Sequence, residues 1–519
     1  MKHKIFLLFI LLIVPAFAAA QDLDAKLAEI DRYARQVMND WKQPGMAIAV
    51  VAGDKTVFAK GYGVQKLGTD DRVDENTVFA VASNSKAFTT AALAILIDEG
   101  KIGGWDERVS KYLPEFALYD PYVTSELTIR DLVSHRVGLD TFSGDLLWYE
   151  TTYTDAEILN RLRHLKPVRG FRSGFGYQNL MFIAAGRIIE KVSGKSWGEF
   201  VKERILNPLG MTRTTTSIKD LSDNAAFPHN ESGGNGLRVL HRGNVDGAAA
   251  AAGLNSSVAD MAKWIRLQLG AGAFEGKRIF SEKQAWEMHQ PAVILPISQA
   301  AAKSNPTRHF NAYGLGWNLF DYHGRKIVTH SGGLDGMLSR TVLIPEENLG
   351  FVVLTNSEYP VYSIMYQKML DVLLDAPARD YNAEALKRAA DSKKSGDEAE
   401  QKLQASRVAN TNPSLPLAGY AGTYTGALYG DATVSEENGR LVLRLLPAPN
   451  FVADLEHWHY NTFRIRWRPS VAYNFPPGFV VFKLDKNGRA AELEIDQPNS
   501  DFWFYELEFK RKAEQAAAR

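Results

Sequence analysis

Ser83-Asn84-Ser85-Lys86 is the one Ser-x-x-Lys stretch in the chain. Phe88, Ala91, Ala92, Ile95 and Leu96 follow at helical spacing, and Gly100 stands where a helix C-cap belongs. Residues three apart on a helix share a face, with Cβ atoms ~5–6 Å apart. The Lys86 amine can therefore meet the Ser83 hydroxyl. A lysine packed away from water can lose ~3–5 pKa units and become a base for that hydroxyl. A helix N-terminus also favours the negative charge that then develops. The same residues fit a plain serine N-cap followed by a solvent-facing lysine.

Two further groups could complete a site. Tyr177-Gln178-Asn179 follows the loop Arg172-Ser173-Gly174 and precedes a helical run from Leu180 to Val192. A phenol beside a lysine can relay a proton, and an amide two residues on can hold a carbonyl. A core tyrosine is the plainer reading of those residues alone. His330-Ser331-Gly332-Gly333 follows an apolar strand pattern, Lys326–Thr329. Glycines there let a backbone approach a ligand closely. A backbone N–H from this strand, paired with that of Ser83, would form an oxyanion hole, where removing one donor typically costs ~10²–10³ in rate. His330 would add a proton or a hydrogen bond at the same wall.

Two other matches are decoys. Gly194-Lys195-Ser196-Trp197-Gly198 has the Gly-x-Ser-x-Gly pattern, but that elbow must join a strand to a helix, and the residues before it read as helix. His457-Trp458-His459 has no third ligand nearby in sequence. Barrel packing suits it better than a metal.

The elements that must position these groups fall into three stretches. Leu23, Leu27, Ile30, Tyr33 and Val37 mark an amphipathic helix. Gly45–Val51 and Val57–Tyr62 read as strands, as do Lys326–Thr329, Arg340–Ile344 and Phe351–Leu354. Strands at both ends and helices between predict one sheet built from both ends, with a helical domain inserted. Residues 381–416 read as a charged, solvated linker or charged helix, with six basic and five acidic residues between Tyr381 and Asn410. Residues 417–512 read as short strands, with a hairpin turn at Asn487-Gly488, and predict a small antiparallel barrel or sandwich. Its aromatics, Trp458, Trp467, Phe502 and Trp503, suit a barrel core, a domain interface or the mouth of a site.

Composition narrows the chemistry. The chain has 519 residues, no cysteine, and 60 basic against 60 acidic side chains. Disulfides, thiolate nucleophiles and thiolate metal sites are excluded, so a nucleophile must be oxygen or amine. Charge balance argues against nucleic acid or an acidic membrane as main partner. Lys2 and Lys4, an apolar run from Ile5 to Phe17, and Ala18-Ala19-Ala20 form a secretory leader at residues 1–20. It is too short for a membrane span. The expectation is an exported, periplasmic protein without stable membrane insertion.

Taken together, Ser83/Lys86, Tyr177/Asn179 and His330/Gly332 resemble, in order, the three motifs of the serine β-lactamase-like family: class C β-lactamases, DD-peptidases, D-aminopeptidases and related esterases. Leu127–His135 resembles that family's "TIRDLLSH" segment, Asn207–Met211 its "PLGM" turn, and Gly253–Ser257 its "GGLNSS" segment. Tyr420–Tyr424 resembles the start of the lipocalin-like domain appended to many of these hydrolases. The resemblance implies an α/β fold: an antiparallel sheet flanked by helices, with a helical subdomain and a C-terminal antiparallel β-barrel. It implies a hydrolase domain at 21–380, the linker at 381–416 and the barrel at 417–512. It further implies acyl transfer with Ser83, Lys86 and Tyr177 catalytic, and Asn179, His330, Gly332 and Gly333 binding substrate, with no metal or cofactor. The substrate would be a small peptide, ester or β-lactam. Where class C enzymes carry Lys-Thr-Gly, this chain has His330-Ser331-Gly332, which weakens recognition of a substrate carboxylate. The alternatives are a weak β-lactamase, or a non-catalytic sensor on the same fold. A homo-oligomer stays open.

Overall fold

The computed structural model describes residues 2–231 and 236–513, with side chains from residue 22 onward. The leader reading at residues 1–20 lies outside the described side chains. The backbone there continues into helix α1 (Lys2–Trp41).

Eight strands form one antiparallel sheet: β1 (Gly45–Ala52), β2 (Lys55–Gly63), β3 (Val293–Ile294), β4 (Asn311–Tyr313), β5 (Asn318–Tyr322), β6 (Arg325–Leu334), β7 (Met337–Ile344) and β8 (Leu349–Thr355). Their order is β2-β1-β8-β7-β6-β5-β4-β3. The first strands of the chain thus pair with the last of the domain, Met46 opposite Thr355 and Ala52 opposite Leu349. β1 is apolar throughout because both of its faces are covered. Met46, Ile48 and Val50 point toward α1 and helix Val361–Leu373. Ala47, Ala49 and Val51 point into the larger core, where small side chains let helix Val258–Leu269 lie close.

The helices between β2 and β3 form the inserted domain. At its centre lies α2 (Ser85–Asp98), buried at every residue from Ser85 to Leu96. A helix apolar all round belongs in a core. α3 (Asn179–Ser193) packs beside it and ends at Gly194, whose φ of 73° closes the C-cap. Ser196 then caps the next short helix, its hydroxyl and backbone bound to Glu199. It sits between two helices rather than on a strand-to-helix elbow.

The stretch after residue 380 is helical, α4 (Tyr381–Ala405). Its first turn is part of the hydrolase domain: Tyr381 and Ala385 are buried, and Asn382 bonds Trp41, Tyr33 and Asp40. From residue 386 to its end the helix is exposed, apart from half-buried Glu400 and Leu403. Beyond it eight strands, Gly422–Gly426 through Phe509–Arg511, close into an antiparallel barrel. Tyr420, Phe463 and Phe482 fill it, with ring centroids 4.8–5.6 Å apart. His457 and His459 are occupied there by the Tyr460 carbonyl and the Val408 N–H.

Candidate active site

From Val81 to Leu96 every residue is buried except Ser83, which is partly exposed. Ser83 lies in a single 3₁₀ turn, Ala82–Asn84, just ahead of α2 rather than within its first turn. Ala82 has φ of 47°, a left-handed conformation that a non-glycine residue holds only when its surroundings impose it. Several bonds impose it. Ser85 Oγ donates to the Ala82 carbonyl at 2.7 Å and accepts the Leu254 N–H at 3.0 Å. Asn84 Nδ2 donates to Ser339 Oγ, which donates to the Val81 carbonyl, each at 2.9 Å.

Lys86 is fully buried on the first turn of α2. Its Nζ lies 3.0 Å from Ser83 Oγ, 2.6 Å from Asn179 Oδ1 and 3.0 Å from the Ala251 carbonyl. Asn179 presents its oxygen because its Nδ2 donates to Asp145 Oδ2 at 2.6 Å. Two of the three Lys86 neighbours can only accept. A neutral amine spends its two hydrogens on them, which leaves its lone pair for the Ser83 hydroxyl. Burial pushes the Lys86 pKa down to about 7, opposed by the nearby Asp145 charge. Burial pushes Asp145 the other way, to about 7, against the pull of the Asn179 hydrogen bond and Lys86. The two groups titrate as a pair bridged by Asn179.

The Tyr177 ring lies over Lys86, with Nζ 4.7 Å from its centroid. Desolvation raises the phenol above its ordinary range, opposed by the nearby Ser83 hydroxyl. The phenol therefore keeps its proton at neutral pH. Its loop is held from behind. His135 Nδ1 accepts the Gln178 N–H at 2.9 Å and packs its ring 4.2 Å from Tyr177. Buried Asp131 binds Arg136 and Arg172 at 2.6 Å each. It thereby ties the segment Thr128–Arg136 to the loop before Tyr177.

β6 forms the opposite wall. His330 Nδ1 meets the Ser331 carbonyl at 2.6 Å, so it must carry the proton. Nε2 then accepts the Tyr313 hydroxyl at 2.9 Å. Burial and Lys86 hold His330 down at about 3, and it stays neutral. Both ring nitrogens are engaged, so His330 shapes the wall with neither nitrogen free for substrate. Gly332 sits against the Ser83 turn. A Cβ there would overlap the Val81 carbonyl and come within 2.5 Å of Ser339 Oγ and 3.0 Å of Ser83 N. Gly332→Ala is expected to cost about 1–3 kcal/mol of stability by overpacking against that turn, and chemical denaturation of the purified variant checks it.

Ser83, Tyr177, Asn179, His330 and Gly333 open into one cleft of about 700 Å³. The barrel supplies part of its rim through Tyr473, Asn474, Asp501 and Phe502. Trp503 reaches the domain interface, while Trp458 and Trp467 stay with the barrel.

Residues 30–374 match the beta-lactamase family. The chain belongs to the beta-lactamase family. This family member is 31% identical over 451 residues to an unguisins hydrolase of Aspergillus campestris, covering 81% of this chain and 79% of that one. Its fold is similar to an octameric penicillin-binding protein homologue from Pyrococcus abyssi, with TM-score 0.61 and 21% identity over 93% of this chain and all of that one. It is also similar to a D-amino acid amidase from Ochrobactrum anthropi, with TM-score 0.55 and 21% identity over 70% and 99% of the chains. Residues 406–511 match a domain of unknown function (DUF3471). The beta-lactamase family member is a serine hydrolase.

Sequence reading did not single out Asp145, His135, Tyr313 or Ala251 in this hydrolase. Asp145 and Tyr313 stand outside any motif. His135 closes the Leu127–His135 segment and Ala251 precedes Gly253–Ser257, so the family-like segments pointed to their neighbourhood but not to their roles.

Proposed function

We propose that the chain hydrolyses an amide or ester bond through an acyl-enzyme on Ser83. One observation carries this reading: the buried Lys86 Nζ lies 2.6 and 3.0 Å from the carbonyl oxygens of Asn179 and Ala251 and 3.0 Å from Ser83 Oγ, so that, once neutral, it turns its lone pair to the hydroxyl. Ser83 gives its proton to Lys86 as Oγ bonds to the substrate carbonyl carbon. The N–H groups of Ser83 and Gly333 receive the oxyanion. As the carbonyl reforms, the C–N or C–O bond breaks. The leaving group takes the proton from the Tyr177 phenol, which recovers it from Lys86. Water then repeats the sequence on the acyl-enzyme and frees Ser83. The named relatives, a hydrolase of unguisins and an amidase, favour the amide or ester reading over sensing. Incubation with a fluorophosphonate should add one label, on the peptide carrying Ser83, by intact mass and peptide mapping. No label, or a label elsewhere, overturns the proposal.

The cleft lining contains Asp145, Asp335, Glu358 and Asp501 and, among the described residues, no lysine or arginine. Burial raises Asp335 to about 7 and also lifts Glu358. Juxtaposed like charges are costly. Above about pH 7, where Asp335 and Asp145 carry their charge, an ester carrying a carboxylate near the scissile bond should therefore react about tenfold slower in kcat/KM than its neutral isostere, and the penalty should shrink as the pH falls and these carboxylates protonate. Equal or faster reaction of the acid would show that this wall does not select against anions. Export to the periplasm is proposed on the leader pattern at residues 1–20. N-terminal sequencing of protein from fractionated cells, expected to begin near Gln21, tests it.

A further inference from the structure

We propose that the barrel segment Trp503–Glu506 is a clamp that positions the turn Thr141–Asp145, and through it both Tyr177 and Lys86. The inference rests on the Ser83 acyl-transfer reading and assigns the barrel a part in it.

The turn touches both halves of the proton machinery. Thr141 Oγ1 accepts the Tyr177 N–H at 3.1 Å, and the Phe142 N–H donates to the Tyr177 carbonyl at 2.8 Å. Those bonds fix the backbone that carries the phenol. Four residues on, Asp145 Oδ2 takes the Asn179 amide that turns Oδ1 toward Lys86. A shift of this turn therefore moves Tyr177 and releases Asn179 together.

Within its own domain the turn has two short-range backbone bonds, the Ser143 N–H to the Asp140 carbonyl and the Asp145 N–H to the Phe142 carbonyl, each at 3.1 Å. Phe142 and Gly144 both have positive φ, 62° and 76°. The first is a left-handed conformation that a bulky residue avoids unless constrained. A further constraint comes from the other domain. Glu506 Oε1 accepts the Ser143 hydroxyl at 2.5 Å, and Oε2 accepts the Gly144 N–H at 2.8 Å. Trp503 Nε1 donates to the Thr141 carbonyl at 2.6 Å. Three bonds thus grip three of the turn's residues, and Ser143 and Asp145 beneath them are buried. The clamp is itself anchored. Phe504, between the two gripping residues, is buried against Trp467 and Phe475 of the barrel. A side chain that acts through others on a reacting group is a positioning residue, and misplacement by about 1 Å can cost 10²-fold in rate.

The test uses full-length protein. Glu506→Ala removes both acceptors and should lower kcat about tenfold while KM stays within twofold. Glu506→Gln keeps one acceptor and should recover part of kcat. Trp503→Phe keeps a ring and loses the N–H, and should also lower kcat rather than raise KM. Ser143→Ala removes the other end of one bond. Added to Glu506→Ala, it should cost almost nothing more, since groups acting through one contact are not additive. Thermal unfolding and tryptophan emission report whether each variant is folded. Wild-type kcat in folded Glu506→Ala overturns the clamp, as does full additivity with Ser143→Ala, or a loss that only tracks the unfolded fraction. Ser83→Ala separates the two claims. If it stays active, the acyl-transfer reading fails. If it is dead while the clamp variants match wild type, only the clamp fails.

Discussion

Ser83→Ala is expected to lower kcat/KM for a small activated ester by about 10⁴-fold or more, with the fold intact. Removing a serine nucleophile from a preorganised site leaves only binding and oxyanion stabilisation, which in other serine hydrolases retain a small part of the acceleration. Here those residual parts stay in place. The Ser83 N–H belongs to the backbone, and the turn is held by Ser85, Asn84 and Ser339 rather than by the Ser83 hydroxyl. Ser83 is also partly exposed, so the change removes little packing. Substrate binding should survive, and KM should move little where it reflects binding. A variant that keeps more than a few percent of wild-type turnover would move the nucleophile elsewhere.

Lys86→Met should cost about 10³-fold in kcat and erase the acid limb of the pH profile. In the wild type the free amine is the active form, and the Lys86 pKa is held down at about 7 by burial. Activity should therefore rise with pH through about 7 and then level off. The limb belongs to the Lys86–Asp145 pair, because Asp145 is lifted into the same range. Methionine fills the buried channel without a charge or a base. General base catalysis contributes ~10²–10⁴-fold. It also leaves the Asn179 amide oxygen and the Ala251 carbonyl without their donor, so part of the loss comes from relaxation of α3. A pH–rate series on both proteins checks the claim, and an unchanged limb in Lys86→Met would assign it to another group.

The fold was legible where a rule of spacing governs it. β1 and the late strands show as apolar runs, and the amphipathic spacing of residues 23–37 shows α1. The insertion follows from strands at both ends of the domain. The candidate site was legible where chemistry sits in short motifs: Ser83 with Lys86, Tyr177 with Asn179, His330 with Gly332. What spacing could not show was distance across the fold. Asp145 meets Asn179 only because a turn with two left-handed residues folds back under α3. His330 reads as an available imidazole until Tyr313 and the Ser331 carbonyl are seen to occupy it. Glu506 looks like a surface acid in a strand-rich tail, and its partners lie in another domain. Composition shows residues 381–416 as charged, and the structure makes residues 381–405 a helix. That its first turn docks depends on Asn382 meeting α1, a contact with no local signal.

That helix has a geometric consequence. α4 is fastened at one end by Asn382, and at the other by Glu400, 2.8 Å from the buried Arg464 of the barrel. Between them it runs through solvent. A flexible tether tolerates insertions, because only its reach matters. A helix pinned at both ends encodes phase as well. Each added residue advances the far end by about 1.5 Å and swings it by about 100°. One extra residue in the exposed middle would turn Glu400 off its arginine and carry the barrel's edge away from the cleft. The solvated stretch of the chain, freest in composition, is thus fixed in length.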